Sequence, residues 1–469
     1  MSRRLGIIGL LAAALFICGD LLALDTHFKN RTAADGYTVR TRQGTSLDRR
    51  NLFEEIQLDT WNLWPGTGGI YDEGPWVSMA ADLRLDTDLG VGAEERNPSL
   101  PRHYVAGVDL VDFDAMYAYV DANGLWENRL GLRAGRQILV DPCGWVAFDG
   151  GQATLRGGYG IELRVYSGLE VLGADTLGYD NFELDGVESG SRKGLDSNQY
   201  PDRKPPSSVP VVGVGLHFAP YEWFRGDLAY RVHHPGDRVQ SDRIAAGIEP
   251  SIGPVSLFGS AAYDILLEQW SIVDAELDYD ITHAFTVYVD GTREKPVFLG
   301  DSIFNVFATD PRNDVGAGAR LDVGSEVSLA AHGLVRLADD GYGIQGNGKD
   351  EIVSGIGGSL SGAAGVPGER LGVTFSTLAG YGDRYSGIEV TGEKSFLFEA
   401  LLVEARASIW QTRDSTRVSR GGLSGGYVAG VRYRLVQGAY LWAEFAHTMN
   451  EVDNQNIEVL AMLDLDLWW

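Results

Sequence analysis

From about residue 50 to its end the chain repeats one arrangement, roughly ten residues of alternating apolar and polar character followed by a turn rich in Gly, Pro, Asn or Asp. In WSIVDAELDYD, Val273, Ala275, Leu277 and Tyr279 share one face of an extended strand, while Asp274, Glu276, Asp278 and Asp280 share the other. Four carboxylates in one row exclude a dry core on that side. The same split sets Ala81, Leu83 and Leu85 against Asp82, Arg84 and Asp86, and Leu228, Tyr230 and Val232 against Asp227, Arg231 and His233. Val403, Ala405, Ala407 and Ile409 oppose Glu404, Arg406 and Ser408; Val431, Tyr433 and Leu435 oppose Arg432 and Arg434.

A soluble sandwich also alternates, but its connections carry no particular asymmetry. Here short links at 121–124, 157–160, 219–222 and 436–439 alternate with long ones at 171–208, 291–312, 337–349 and 411–424. Aromatics gather near strand ends, as at Trp61, Trp64, Trp223, Trp270, Trp410 and Trp468, where a lipid interface favours them. The pattern predicts an all-β fold: a transmembrane, antiparallel, up-and-down β-barrel with short periplasmic turns and long extracellular loops. Twenty-one segments can be counted, whereas single-chain bacterial barrels close with an even number. The expectation is 20 strands within a range of 18 to 22, with 36–42 the candidate for a missed one. The stretches 171–208 and 299–311 are the candidates for segments folded into the lumen.

The amino terminus begins MSRRLGIIGLLAAALFICGD, basic residues ahead of an apolar run, which is the layout of a secretory signal peptide. This divides the chain into a leader at 1–23, a polar periplasmic lead at 24–50 and one barrel domain at 51–469, and it predicts an integral protein of the bacterial outer membrane. The carboxyl terminus, NIEVLAMLDLDLWW, puts Leu463, Leu465, Leu467 and Trp469 on one row, with Asp464 and Asp466 on the other. An apolar row ending on an aromatic resembles the signal that barrel-assembly machinery reads, so that machinery and outer-membrane lipid are the expected partners.

Composition removes several functions. The formal net charge is −26, which argues against a nucleic-acid partner. The two cysteines, Cys18 and Cys143, are divided between leader and barrel, so no internal disulfide is expected. Gly341, Gly343 and Gly346 match GxGxxG but lie in a loop between alternating strands, not in a βαβ unit. His233, His234 and Asp237 read as solvated loop residues rather than a hydrolytic triad, and no other nucleophile constellation points to an enzyme. The acid groups Asp86, Asp88, Glu94, Glu95 and Asp339, Asp340, Asp350, Glu351 lack regular calcium-loop spacing, so neither metal nor cofactor is expected.

What remains is the charge of the inner wall. The alternation assigns Asp82, Asp86, Asp112, Asp114, Asp274, Glu276, Asp278, Asp464 and Asp466 to the lumen as acids. It assigns Arg84, Arg129, Arg133, Arg164, Arg225, Arg231, Arg406, Arg432 and Arg434 as bases. Rings or ladders of such charges set ion preference in a pore.

One segment carries a family likeness. Gly135, Arg136 and Gln137 close one strand and Phe148, Asp149 and Gly150 lie on its return strand. This resembles the alginate-export-like group of outer-membrane porins over about 45 residues. The resemblance implies an outer-membrane barrel and, for some members, passage of anionic polysaccharide through an arginine-lined pore, from which this acid-bearing lumen departs. Two functions stay open on the sequence: a porin-like channel passing small hydrophilic solutes or ions, and a loop-closed barrel that anchors a periplasmic or surface partner.

Overall fold

The computed structural model describes residues 25–41, 46–63, 75–88, 112–171, 209–234, 239, 241–295, 311–324, 326–340, 351–380, 383–414, 422–450 and 453–468. They form one 22-stranded antiparallel sheet. Its first strands are β1 (Thr26–Thr41), β2 (Ser46–Thr60), β3 (Trp76–Asp88), β4 (Asp112–Gly124), β5 (Leu130–Asp141), β6 (Gly144–Arg156), β7 (Ile161–Glu170) and β8 (Pro210–Tyr221). There follow β9 (Phe224–His233), β10 (Ser241–Ile252), β11 (Val255–Asp264), β12 (Gln269–Thr282), β13 (Phe285–Glu294), β14 (Arg312–Val323) and β15 (Val327–Asp340). The last are β16 (Glu351–Val366), β17 (Glu369–Gly380), β18 (Asp383–Phe396), β19 (Leu401–Asp414), β20 (Gly422–Val436), β21 (Ala439–Met449) and β22 (Asp453–Trp468). Each pairs with the next, and β1 pairs with β22 from His27↔Trp468 to Thr41↔Asp453, so the sheet has no edge at its seam.

The count lies at the top of the expected range of 18 to 22, two above its central value, and β1 is the strand that the 21 segments lacked. It also replaces the polar lead expected at 24–50, since β1 and the start of β2 occupy that stretch. The reason is visible on its outer row. Asn30 and Thr32 stand where apolar residues would mark a strand, and both donate to Glu54 of β2, at 2.5 and 2.7 Å. The leader at 1–23 and the two loop segments at 172–208 and 299–310 lie outside the described residues, as does Trp469.

Which face looks inward follows from one contact. Arg231 of β9 reaches Asp141 at the end of β5, with β6, β7 and β8 between them in the sheet, and a bond of that span can run only through the interior. Arg225, Asp227, Ala229, Arg231 and His233 therefore face the lumen, and Leu228, Tyr230 and Val232 face out. Register carries this assignment around the barrel. Outward rows such as Val273, Ala275, Leu277 and Tyr279 of β12, or Val459, Ala461, Leu463, Leu465 and Leu467 of β22, are apolar. Inward rows are mixed and charged.

Several inward glycines serve the geometry of the wall. A Cβ at Gly318 would lie 2.3 Å from the Tyr288 ring, one at Gly387 2.2 Å from Trp410, and one at Gly213 2.2 Å from Tyr166. In each case the neighbouring strand's aromatic lies flat across the bare glycine instead of standing into the lumen.

Candidate functional site

The lumen has two unlike regions. The first is the hairpin β5–β6, whose upper part leaves the wall. β4 and β5 pair over only five positions, from Ala122↔Leu132 to Ala118↔Arg136. Above that level β5 pairs with β6 alone among the described residues, and the tip folds over the inner face of β7 to β11. The bend runs along a row of three glycines in register, Gly135↔Gly150 and Gly150↔Gly168. A Cβ at Gly135 would meet Ala118 O at 2.2 Å, one at Gly150 Ser167 O at 2.2 Å and one at Gly168 Asp149 O at 2.5 Å. Gly135 has φ +129°, a conformation that side-chain-bearing residues rarely adopt.

The tip is fastened by one buried arginine. The Arg231 guanidinium donates to Asp141 Oδ1 at 2.7 Å, Gly144 O at 2.7 Å, Trp145 O at 3.1 Å and Tyr166 Oη at 2.9 Å. Tyr166 in turn donates to Asp141 Oδ2 at 2.9 Å. The side chains of Arg231 and Asp141 are 4% and 6% exposed, so the pair is dry and fully hydrogen-bonded, the condition under which a buried charge pair holds its geometry. Cys143, at the tip, packs with Ala229, Ala245 and Ala262, and its thiol points to Arg243 O at 3.7 Å. Leu139, Val146, Phe148, Tyr166 and Val211 form a small core beneath the hairpin.

This gives each residue of the Gly135–Gly150 motif a role. Gly135 and Gly150 make the bend, Phe148 is fully buried under the flap, and Gln137 donates to Gly150 O at 3.2 Å. Arg136 faces outward, clamps Asp149 through two bonds of 2.8 and 3.0 Å, and donates to Ala115 O at 3.0 Å, at the point where β4 and β5 part.

The second region is the wall of β12 and β13. Asp274, Glu276, Asp278 and Asp280 stand inward on β12, and Glu276 faces Asp290 directly across the ladder. No cation among the described residues is ion-paired to Asp274, Glu276 or Asp278; Asp290 is held by His332 Nε2 at 2.9 Å. Like charges placed opposite one another repel, so this wall favours a positive counter-charge in the water beside it. Elsewhere inward charges pair along the wall, as Arg133 with Asp121, Arg336 with Asp314 and Arg406 with Glu389. Between β15 and β21 a recess of about 690 Å³ is lined by Ser361, Thr374, Thr391, Glu393, Glu404 and Arg406.

The structure places Asp82, Asp274, Glu276, Asp278, Asp464 and Asp466 on inward rows, with Asp82 buried and accepting from Gln57. Register pairs Asp86 with Asp112 and Arg84 with Asp114. Arg84, Arg133, Arg164, Arg225, Arg231, Arg406, Arg432 and Arg434 are likewise on inward rows. Arg129 is not on the wall; it lies in the turn before β5. His233 is not a solvated loop residue: it ends β9, is buried and meets Glu170 Oε2 at 2.8 Å. Asp237 and Gly341 to Gly346 fall outside the described residues. Asp141, Cys143 and Tyr166 escaped sequence reasoning, although the short link Pro142–Cys143, where its neighbours on the same rim are long, is a signal of an unusual hairpin.

No family model matches the chain, and no curated protein matches its sequence. Among solved structures it is similar to Acinetobacter baumannii OccAB2 at 10% identity and a TM-score of 0.45, covering 95% of this chain and 98% of that one. It is also similar to Pseudomonas aeruginosa OpdQ (10% identity, TM-score 0.44, 95% and 99% covered). A third is P. aeruginosa OpdK, solved with vanillate (10% identity, TM-score 0.41, 95% and 99% covered).

Proposed function

We propose that this chain is a porin-type channel of the bacterial outer membrane, passing small hydrophilic solutes, with a preference for cations. The observation that carries the reading is the closed barrel itself, apolar on its outward rows and charged on its inward ones. A bilayer accepts strands only as a closed barrel, because every backbone N–H and C=O must be bonded within the sheet. Barrels of roughly 16 to 18 strands already enclose an aqueous lumen, and this one is wider in strand number. The short links then face the periplasm and the long ones the exterior.

The cation preference rests on Asp274, Glu276 and Asp278, which carry no bonded counter-charge among the described residues. The same ladder speaks against polyanion passage, so the alginate-export-like resemblance is best kept to the Gly135–Gly150 hairpin and its geometry. Purified protein inserted in a planar bilayer under a salt gradient is expected to give stepwise currents, with a reversal potential on the cation side. A folded barrel without current would overturn the channel reading and leave the anchoring barrel in its place.

A further inference from the structure

We infer that the upper half of hairpin β5–β6 is a hinged flap with two seats, and that Arg231 is the latch of the inner one. This rests on the channel reading above for its consequence, though not for its geometry. In the seat observed, the tip is docked on β9 to β11 by Arg231 and by Cys143 among three alanines. In the other, the flap swings about the glycine row Gly135–Gly150–Gly168 and continues the β4–β5 ladder upward.

Three observations support a second seat. The β4–β5 pairing stops at Ala118↔Arg136, while both strands continue, β4 up to Asp112 and β5 up to Asp141. Extending the observed register by one pair brings Tyr117 opposite Gln137, both on inward rows, and further pairs follow within the same strands. The fold line is made of glycines, which let the backbones of β4 to β7 approach closely where β5 turns inward, while β6 stays laddered to β7 beyond it at Asp149↔Leu169 and Phe148↔Glu170. Finally, one arginine supplies four of the bonds that hold the docked tip, all ending on the tip or on Tyr166 beneath it, alongside the Tyr166–Asp141 bond and the packing of Cys143. The flap thus exchanges that network and the small core at Leu139, Val146 and Phe148 for additional ladder bonds, two alternatives of comparable kind. With the flap docked, the lumen beside β7 to β11 is covered; with it zipped to β4, that part of the lumen is open.

Two disulfide traps test this in the full-length barrel. Ala245→Cys places a thiol beside Cys143, and its oxidation locks the docked seat. Tyr117→Cys with Gln137→Cys, in a Cys143→Ser background, cross-links only in the zipped seat. Heat-modifiable gel mobility shows that each variant is folded, and mass shows each cross-link. The expected result is a smaller current level alone when the first trap is oxidised, return of a second, larger level on reduction, and the larger level alone in the oxidised second trap. Arg231→Gln should raise the time spent at the larger level. The same single level in oxidised and reduced Ala245→Cys overturns the flap, and so does a folded Tyr117→Cys/Gln137→Cys barrel that never cross-links. A barrel silent under all conditions overturns the channel reading instead, while the cross-links still report on the flap by mass.

Discussion

Arg231 with Asp141, and Asp274 with Glu276 and Asp278, are charged residues on the inward face of one barrel, and they act in opposite ways. The first pair is dry, 4% and 6% exposed, and joins elements that are not neighbours in the sheet. The acids on β12 are wetted by the lumen and, among the described residues, ion-paired to no cation. A charge taken from water must be matched by a partner at close range, so it fixes geometry. A charge left in water is screened and shapes the field over several ångströms, so it influences what passes. Burial, and not residue type, separates the charge that fixes geometry from the charge that shapes the field of the lumen.

Breaking the dry pair should have the largest effect. Arg231→Leu strands Asp141 without its cation and should cost about 3–5 kcal/mol, read as a lower midpoint of urea unfolding in detergent. Double substitution with Asp141→Leu should recover much of that loss, whereas no recovery would mean that the remaining bonds to Gly144 O and Trp145 O dominate. Gly135→Val comes next. It forces a β-branched residue to φ +129° against Ala118 O and should cost about 1–3 kcal/mol or more, measured in the same way.

On the wet side, neutralising Asp274, Glu276 and Asp278 together to Asn, Gln and Asn should change unfolding by no more than about 0.5 kcal/mol. The reversal potential in a salt gradient should nevertheless move toward anions; an unchanged potential would place the ion path away from β12. The smallest effect belongs to Lys394 and Glu369, both about half exposed on the outer face near the turn rim. Glu369→Gln should stay within about 0.5 kcal/mol and leave selectivity unaltered, and a larger change in either would blur the line between the two classes.

The sequence carried the barrel because period-two alternation is a local property, repeated in every strand from β2 to β22. β1 is hard to read because its outer row uses Asn30 and Thr32, whose polar groups find their shortest bonds on Glu54, a residue of the next strand. Strand parity, by contrast, signals that 21 segments cannot close a barrel but not whether one is split or one is missed; β1, which spans the candidate at 36–42, is the missed one. For the lumen, alternation gave the face of Asp274 or Arg432 but not the company each keeps. Whether Arg231 is wet or dry depends on Asp141 and Tyr166, 90 and 65 residues away, which only the closed sheet brings to it. Gly135, Arg136, Asp149 and Gly150 could be noticed as a motif. Their shared purpose, bending one hairpin out of the wall, required register.

The aromatic rings lying across Gly318 and Gly387 bear on how wide the interior of such a barrel is. Its width is governed as much by missing side chains as by present ones. A single methyl group added at Gly318 would lie 2.3 Å from the Tyr288 ring, which would have to leave its place across the wall while the pairing of β13 with β14 stayed as it is. Neighbouring sizes of bore are therefore one substitution apart, and they are reached from inside the wall, where the lipid-facing rows do not feel the difference.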